Sequence, residues 1–418
     1  VRRRLAYYSE TFFIFPRLYF TAMYLDKTEE RMLEGEYGEA IALAMRAVVK
    51  VAEVFSAPRL VKIKHAHVSG VSYENIGDEG LGFLEEVEAL GGKFAVPTTI
   101  NPGAVDFDAW RWMGIEDAVY EKQIRILNVF RRMGAKITLT CTPYLYEEVG
   151  FGDHIAWSES NAVLFANSVI GARTNRDGGP LALMEAIVGR APLSGLHLES
   201  NRKPVITIDF KGSRKYICEN NLFSVAGLIV GRISGNRVPY VRGLSSLKED
   251  VDGLKLFLSA VGATGGTGLT LIEGVSPENP EAMPEERVEV DERMIREELE
   301  RFDSISDGVV VLGCPHLSLR EVDQIVEWFA RRGRAKMRVY LYTSREVARL
   351  YRDKAKSLEE LNISLFADTC MVVSNLSAYA SRSVITDSGK AAFYLSSKGY
   401  SVALMPRKLI LERVTSGD

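Results

Sequence analysis

Histidine and cysteine are both scarce in this chain of 418 residues, with five of the first and four of the second. So few histidines make a complete histidine-rich metal site hard to assemble. Four cysteines without any Cys-x-x-Cys spacing do not make a disulfide framework, and the expected compartment is a reducing cytoplasm. No run of about 18 uncharged apolar residues occurs, which excludes an apolar membrane-spanning helix. The net charge of −3 leaves no basic excess to attract nucleic acid. What is present is the composition of a globular enzyme: 46% hydrophobic, 26% charged, 35 Gly and 14 Pro. The length exceeds one ordinary core and predicts two or three domains.

Residues 1–22 open with Arg2, Arg3 and Arg4 and continue through an aromatic run, without the continuous apolar stretch or cleavage site of a signal peptide. They read as a disordered or start-site extension ahead of Met23. Asp26 and Thr28 are candidate caps for a first helix that carries Glu29 and Glu30 in its opening turn. Helices are then predicted over 37–55, 79–90, 117–133 and 160–170, and strands over 60–68, 93–96, 136–140 and 205–210. The Pro- and Glu-rich stretch 277–291 reads as a surface connection. It sets the expected domains at 23–290 and 291–418. Beyond it, strands at 308–313, 337–342, 384–386 and 400–404 alternate with helices. This order predicts an α/β fold of mostly parallel three-layer domains, with ligand groups at the strand ends.

Three cysteines carry the strongest chemical signal. Cys141 (Thr-Cys-Thr-Pro-Tyr), Cys314 (Gly-Cys-Pro-His) and Cys370 (Asp-Thr-Cys) each sit where a strand gives way to a loop. If they converge, three thiolates leave one coordination position open, the donor set of an iron–sulfur cluster with a substrate-binding iron. The competing reading is three small buried hydrophobes. His65 and His67 lie two apart on a strand and could begin a zinc-dependent amidohydrolase site, or simply pack. The run Gly262–Gly268 has the glycines of a phosphate loop in the wrong order, after a helix, and reads as a helix stop. Gly70-Val71-Ser72 and Asn101-Pro102-Gly103 follow strands, where backbone amides can meet an anion or merely turn the chain. Glu159 is a helix cap or an acid–base group. Arg173 and Arg176 are anion clamps or surface charges. Lys390, in a first helical turn, opposes the helix dipole and would suit a bound anion.

Taken together, these segments resemble the large subunit of aconitase X, a branch of the aconitase superfamily. The motifs are His-Ala-His-Val-Ser-Gly-Val-Ser (65–72), Thr-Ile-Asn-Pro (99–102), Thr-Cys-Thr-Pro-Tyr (140–144), Ser-Glu-Ser-Asn-Ala-Val (158–163), the 167–176 run, Gly-Cys-Pro-His (313–316) and Asp-Thr-Cys (368–370). The resemblance implies an aconitase-like arrangement of α/β domains around a [4Fe–4S] cluster held by Cys141, Cys314 and Cys370, with one open iron. It implies that Gly70, Val71, Ser72, Asn101, Pro102, Glu159, Ser160 and Lys390 line the substrate site, with Glu159 assisting at the departing water. The swivelling domain that completes the site in this family is expected on a separate small subunit. This split arrangement is similar to archaeal members that remove water from mevalonate 5-phosphate, a phosphorylated hydroxy acid, to give trans-anhydromevalonate 5-phosphate. The alternatives are a cis-3-hydroxy-L-proline dehydratase of the same family, the zinc amidohydrolase on His65 and His67, and a non-catalytic subunit.

Overall fold

The computed structural model describes residues 23–415. The extension expected at 1–22 lies outside the described residues. The chain enters through the helix Lys27–Glu34. Asp26 accepts from the amides of Thr28 (2.8 Å) and Glu29 (2.9 Å), and Glu29 Oε2 accepts from the Asp26 amide, closing a capping box. Buried Glu29 also pairs with Arg190 at 3.0 Å, tying this first turn to a strand far along the chain. The next helix, Glu39–Val54, buries Ala44, Met45, Val48 and Ala52, one face at helical spacing.

The strand expected over 60–68 is divided. Leu60–Lys62 (β1) pairs antiparallel with Arg190–Pro192 (β5), whereas Ala66–Val68 (β2) is the centre of a parallel sheet, between Thr98–Ile100 (β3) and Ala156–Trp157 (β4). No strand forms over 93–96, where one is predicted. Ala95 spends its amide on the Ala186 carbonyl, and the β-branched run Thr98-Thr99-Ile100 takes the ladder instead. The predicted strand 136–140 runs beside β3 through Lys136 N to Thr98 O (2.8 Å) and Thr140 N to Ile100 O (3.3 Å). Leu139 at φ 46° breaks it before a regular strand can form. The helix Asp117–Met133 appears with its predicted limits, closed by Gly134 in the left-handed conformation.

A second parallel sheet, ordered β8-β7-β6-β9, follows from Ile206–Asp209 (β6), Pro239–Arg242 (β7), Leu271–Ile272 (β8) and Arg287–Glu289 (β9). The Pro- and Glu-rich stretch leads into β9, which pairs with β6, and the helix Glu292–Leu299 packs on the helix Phe223–Ser234. The third sheet is five-stranded and parallel throughout, ordered β12-β11-β10-β13-β14. Its strands are Val309–Leu317 (β10), Val339–Thr343 (β11), Ile363–Phe366 (β12), Ser383–Thr386 (β13) and Ser401–Leu404 (β14). β12 had no counterpart among the predicted strands. One continuous core joins the second and third sheets, running from Phe257 and Leu258 on the helix Val251–Thr264 to Ala391 and Leu395 on the helix Gly389–Ser397. The fold is thus α/β, with three parallel sheets and their covering helices. No helix among the described residues is long and apolar enough to cross a membrane.

Candidate active site

Two topological switch points face one cavity. In the first sheet the central strand is β2, flanked by β3 and β4, so the loops after all three leave from the same edge. They deliver Ser69-Gly70, Asn101-Pro102 and Ser158-Glu159-Ser160. In the third sheet the chain order reverses at β10, between β11 and β13. Cys314 lies at that crevice, and Lys390 begins the helix that follows β13. The cavity between the two edges measures about 440 Å³ and is lined by all three cysteines together with Gly70, Asn101, Pro102, Glu159, Ser160 and Lys390.

Each cysteine arrives on irregular backbone with a local cause. Gly313, at φ 108°, departs from strand geometry, and a Cβ there would stand 2.2 Å from the Tyr342 carbonyl oxygen. Pairing with β11 loses register between Leu312 and Leu317, which turns Cys314 toward the cavity. Cys370 follows Asp368, a non-glycine residue at φ 64°, whose side chain pairs with Arg345. The same loop is stitched to the first sheet by Ala367 N to Asp106 Oδ2 (2.7 Å) and Gly103 N to Asp368 O (2.8 Å). Cys141 follows the left-handed Leu139, and its carbonyl accepts from Asn161 Nδ2 at 3.1 Å.

His316 braces the three loops and escaped the sequence reading except as part of a motif. Its Nε2–H donates to the Thr369 carbonyl (3.0 Å), which leaves Nδ1 to accept from the Thr140 hydroxyl (3.2 Å). Its backbone amide donates to Cys141 Sγ at 3.3 Å. Burial lowers the pKa of His316 to about 4, so the imidazole is neutral.

The sulfurs are free thiols, all three buried. Burial pushes Cys141 up to about 12 and holds Cys314 and Cys370 above the ordinary thiol value. Against that penalty each sulfur meets donors: the His316 amide at Cys141, Ser388 at Cys314, and the Val372 and Val373 amides at Cys370. Such a set favours thiolate once a cation offsets the desolvation. Among the described residues, no group of three or more His, Cys, Asp or Glu side chains is placed to hold a single metal ion. Three thiols that share a cavity without forming a one-ion site suit a polynuclear group instead. Cys218, half-buried on the short helix Arg214–Asn220, does not line this cavity and meets Ser246 Oγ at 3.4 Å.

Glu159 and Lys390 form a buried ion pair across the cavity wall, and Lys390 Nζ also reaches Ser160 Oγ at 3.2 Å. Burial penalises the Glu159 charge, but the Lys390 ammonium, its hydrogen bond and the Asn161 amide outweigh that and hold the carboxyl below its ordinary value. Lys390 is likewise disfavoured by burial and then carried above its ordinary value by Glu159 and the neighbouring sulfurs. Glu159 therefore caps its helix, accepting from Asn161 N at 3.2 Å, and also faces the cavity.

Gly70 turns the chain at φ 75°. Val71 and Ser72 do not send side chains into the cavity: Val71 is buried in a core with Leu81 and Leu84, and Ser72 Oγ donates to the Val373 carbonyl at 2.7 Å. Among the described residues, no acceptor engages the backbone amides of Gly70, Val71 or Ser72. His65 and His67 serve as supports. His67 donates from Nε2 to Asn101 Oδ1 (3.2 Å) and accepts at Nδ1 from the Thr99 hydroxyl (2.8 Å), which orients Asn101 at the cavity. His65 Nδ1 accepts from Trp157 Nε1 at 3.0 Å. Burial lowers both imidazoles to about 4. A zinc hydrolase built on them has no third ligand among the described residues. Arg173 faces away, toward the His197 carbonyl and Glu199. Arg176 lines the cavity and donates to the carbonyls of Gly262 (2.7 Å) and Gly265 (2.5 Å), so the glycine-rich run is a helix stop that holds an arginine. Asp177 and Tyr394 also line the cavity and were not foreseen.

Comparison with known proteins bears on this arrangement. Family models described as the first, second and third domains of aconitase X match residues 22–200, 204–300 and 307–416. The chain is 42% identical to a protein of Thermococcus kodakarensis named phosphomevalonate dehydratase large subunit, over 91% of this chain and 97% of that protein. It is 33% identical to a cis-3-hydroxy-L-proline dehydratase of Pseudomonas aeruginosa, over 88% of this chain and 66% of that protein. The crystal structure of Thermococcus kodakaraensis aconitase X in its holo-form superposes with a TM-score of 0.83 at 40% identity, covering 94% of this chain and all of that one. With its three cysteine-bearing strand ends gathered at one cavity, the chain belongs to the aconitase X family.

Proposed function

We propose that this chain is the large subunit of a two-subunit hydro-lyase that removes water from (R)-5-phosphomevalonate to give trans-anhydromevalonate 5-phosphate. The observation that carries the reading is the convergence of three thiols, a buried Glu159–Lys390 pair and the Gly70 turn on one cavity. The substrate reading draws on the archaeal relatives named for that dehydration, at 42% and 37% identity for Thermococcus kodakarensis and Methanocaldococcus jannaschii. The hydroxyproline dehydratases are more distant, at 33% and 31% identity. The small subunit is inferred from the words "large subunit" in those relatives' names, and we take it to carry the swivelling domain.

Cys141, Cys314 and Cys370 would hold a [4Fe–4S] cluster, and that group would supply Lewis-acid help to a departing hydroxyl. The chain's own residues do the rest. The amides of Gly70, Val71 and Ser72 point a run of N–H dipoles at an anionic group of the substrate. Lys390 adds a fixed positive charge, held in position by Glu159 and Ser160. Asn101, oriented by His67, and Pro102 form the opposite wall. Glu159 stays ionised beside Lys390 and can accept a hydrogen bond from the leaving oxygen. Burial keeps the whole set out of bulk water, which strengthens each of these contacts.

Anaerobic co-purification with the small subunit, followed by assay on 5-phosphomevalonate and on cis-3-hydroxy-L-proline, tests the reading. Dehydration of the phosphorylated acid is expected. Turnover of the amino acid alone overturns the substrate, and zinc in place of iron and sulfide overturns the chemistry.

A further inference from the structure

The third sheet opens into a crevice where β10 and β13 part. Their ladder ends at the pair Val310–Ile385, and both site-bearing segments lie beyond it: Cys314 on one side, Ser388 and Lys390 on the other. Sheet pairing therefore does not set the distance between the Cys314 loop and the start of the Lys390 helix. Ser388 belongs to both. Its hydroxyl caps that helix, accepting from Ala391 N at 3.0 Å, and also meets the Cys314 thiol.

A chain of buried charges spans the gap. Lys255, on the helix Val251–Thr264, donates from Nζ to the His316 carbonyl at 3.0 Å and pairs with Glu321. The same Glu321 oxygen accepts from the Ser318 amide at 2.8 Å, in the capping box of the helix Leu319–Arg332. Its other oxygen pairs with Arg407 at 2.8 Å. Arg407 opens the helix Arg407–Val414 and donates from Nε to Asp387 Oδ2 at 2.6 Å, one residue before Ser388. The side chains of Lys255 and Glu321 are each 1% exposed, and that of Asp387 is 2% exposed. We propose that Lys255, Glu321 and Arg407 are positioning residues of the active site, holding the Cys314 loop and the Lys390 helix in register across the crevice. For its catalytic consequence this inference rests on the dehydratase reading above.

Stability alone does not call for such a chain. Taking two ions out of water can cost more than their attraction returns, and well-packed apolar side chains in their place are often as stable. What apolar packing does not supply is a fixed separation, whereas each link here has a length and direction set by a hydrogen bond. Arg407 is the joint. Its planar fork presents two donors at a fixed angle, one to the carboxylate that follows Cys314 and one to the carboxylate that precedes Lys390. Burial opposes the Glu321 charge, but Lys255 and Arg407 outweigh it and hold the carboxyl far below its ordinary value. Among the described residues Asp387 Oδ1 has no partner, so Arg407 is the ionic tie of that loop. At the other end Asp252 stands 3.6 Å from Lys255 and pairs with Arg320.

The test separates register from stability. K255M leaves one buried carboxylate in excess and should lower the urea midpoint of the metal-free chain. K255M/E321Q removes one charge of each sign, leaves Arg407 with Asp387 and Arg320 with Asp252, and keeps a capping-box residue at 321. It should regain most of the lost midpoint. Hydrogen exchange read by mass spectrometry on the metal-free double variant should nevertheless be faster over 313–318 and 386–391, and as in the wild type elsewhere. R407K, which keeps the charge and loses the fork, should show the same local pattern. In the cluster-loaded complex with the small subunit, both variants should lose about 10²-fold in kcat on 5-phosphomevalonate, the scale of a misplacement of about 1 Å. Wild-type exchange over both segments in K255M/E321Q and in R407K overturns the inference. Faster exchange spread evenly over the chain overturns it too, since that is loss of stability alone. A wild-type complex that does not dehydrate 5-phosphomevalonate overturns the dehydratase reading, and the exchange measurement then decides the register by itself.

Discussion

Removing Lys390 should expose how much of the site's stability is electrostatic. Its side chain and that of Glu159 are 11% and 9% exposed, so both charges have left bulk water. Truncating one partner of a buried pair strands the other, at about 3–5 kcal/mol. K390M keeps the length of the side chain and removes only the charge, so packing changes contribute little. Glu159 in K390M loses the ammonium that held it ionised, and burial alone then drives its carboxyl above the ordinary value. K390M should therefore be destabilised by about 3–5 kcal/mol at neutral pH. It should recover stability as the pH falls and Glu159 takes a proton. The double variant K390M/E159Q removes both charges and should return to within about 1–2 kcal/mol of wild type, a recovery of about 2–3 kcal/mol over K390M alone. Urea unfolding of the metal-free chain at pH 5 and pH 7.5 gives these values without interference from a cluster. A K390M loss below about 1 kcal/mol, in the range of an exposed ion pair, or no recovery in the double variant, would refute the reasoning.

Replacing any one of Cys141, Cys314 or Cys370 by Ser should abolish turnover and lower iron and sulfide per chain, while C218S, on its separate helix, should match wild type in iron analysis and absorbance. H316A should retain the three thiols yet load poorly. It leaves the Thr369 carbonyl without its His316 donor, a loss of about 1–3 kcal/mol, while the Thr140 hydroxyl keeps Thr142 as a partner; full loading of H316A at wild-type stability would count against the brace. Acid should unfold the metal-free chain early. His65, His67 and His316 are each depressed to about 4 by burial, whereas the unfolded chain protonates them near 6.5. Stability is thus complete above about 6.5 and falls as the pH drops toward 4, by about 1.4 kcal/mol per pH unit for each imidazole. Urea midpoints from pH 7.5 to 4.5 measure it, and a flat profile would contradict the assignment of neutral histidines.

What the sequence disclosed depended on how local the determining physics was. The helix Asp117–Met133 and its Gly134 stop are set by residues within a few positions, as is the Asp26–Glu29 capping box, and both were legible. So were four of the five strands of the third sheet, each a short apolar run between a turn and a helix. The first sheet was harder because its strands are two or three residues long, too short for alternation to register. Ala95 shows the consequence. Its segment has the composition of a strand, but its amide is claimed by Ala186 on a helix more than ninety positions away.

The site divides along the same line. Cysteines at strand ends and small residues after β2 and β3 could be named from the sequence because their chemistry is carried by residue type. Their convergence was not a local fact. It follows from two sheets turning their switch points toward each other, with the Asp106–Ala367 and Gly103–Asp368 hydrogen bonds fixing the gap between them. His67 and His316 illustrate the difference most directly. In the sequence, one looked like a metal ligand and the other like a motif neighbour. In the fold each is a neutral imidazole whose two nitrogens are both engaged, orienting Asn101 in one case and joining three cysteine loops in the other. Asp177 shows the same limit. A lone aspartate before two glycines reads as loop, yet the packing of Gly179 on Ser69 sets that loop at the cavity. A residue's availability is a property of what its neighbours are bonded to, and that is decided by tertiary structure.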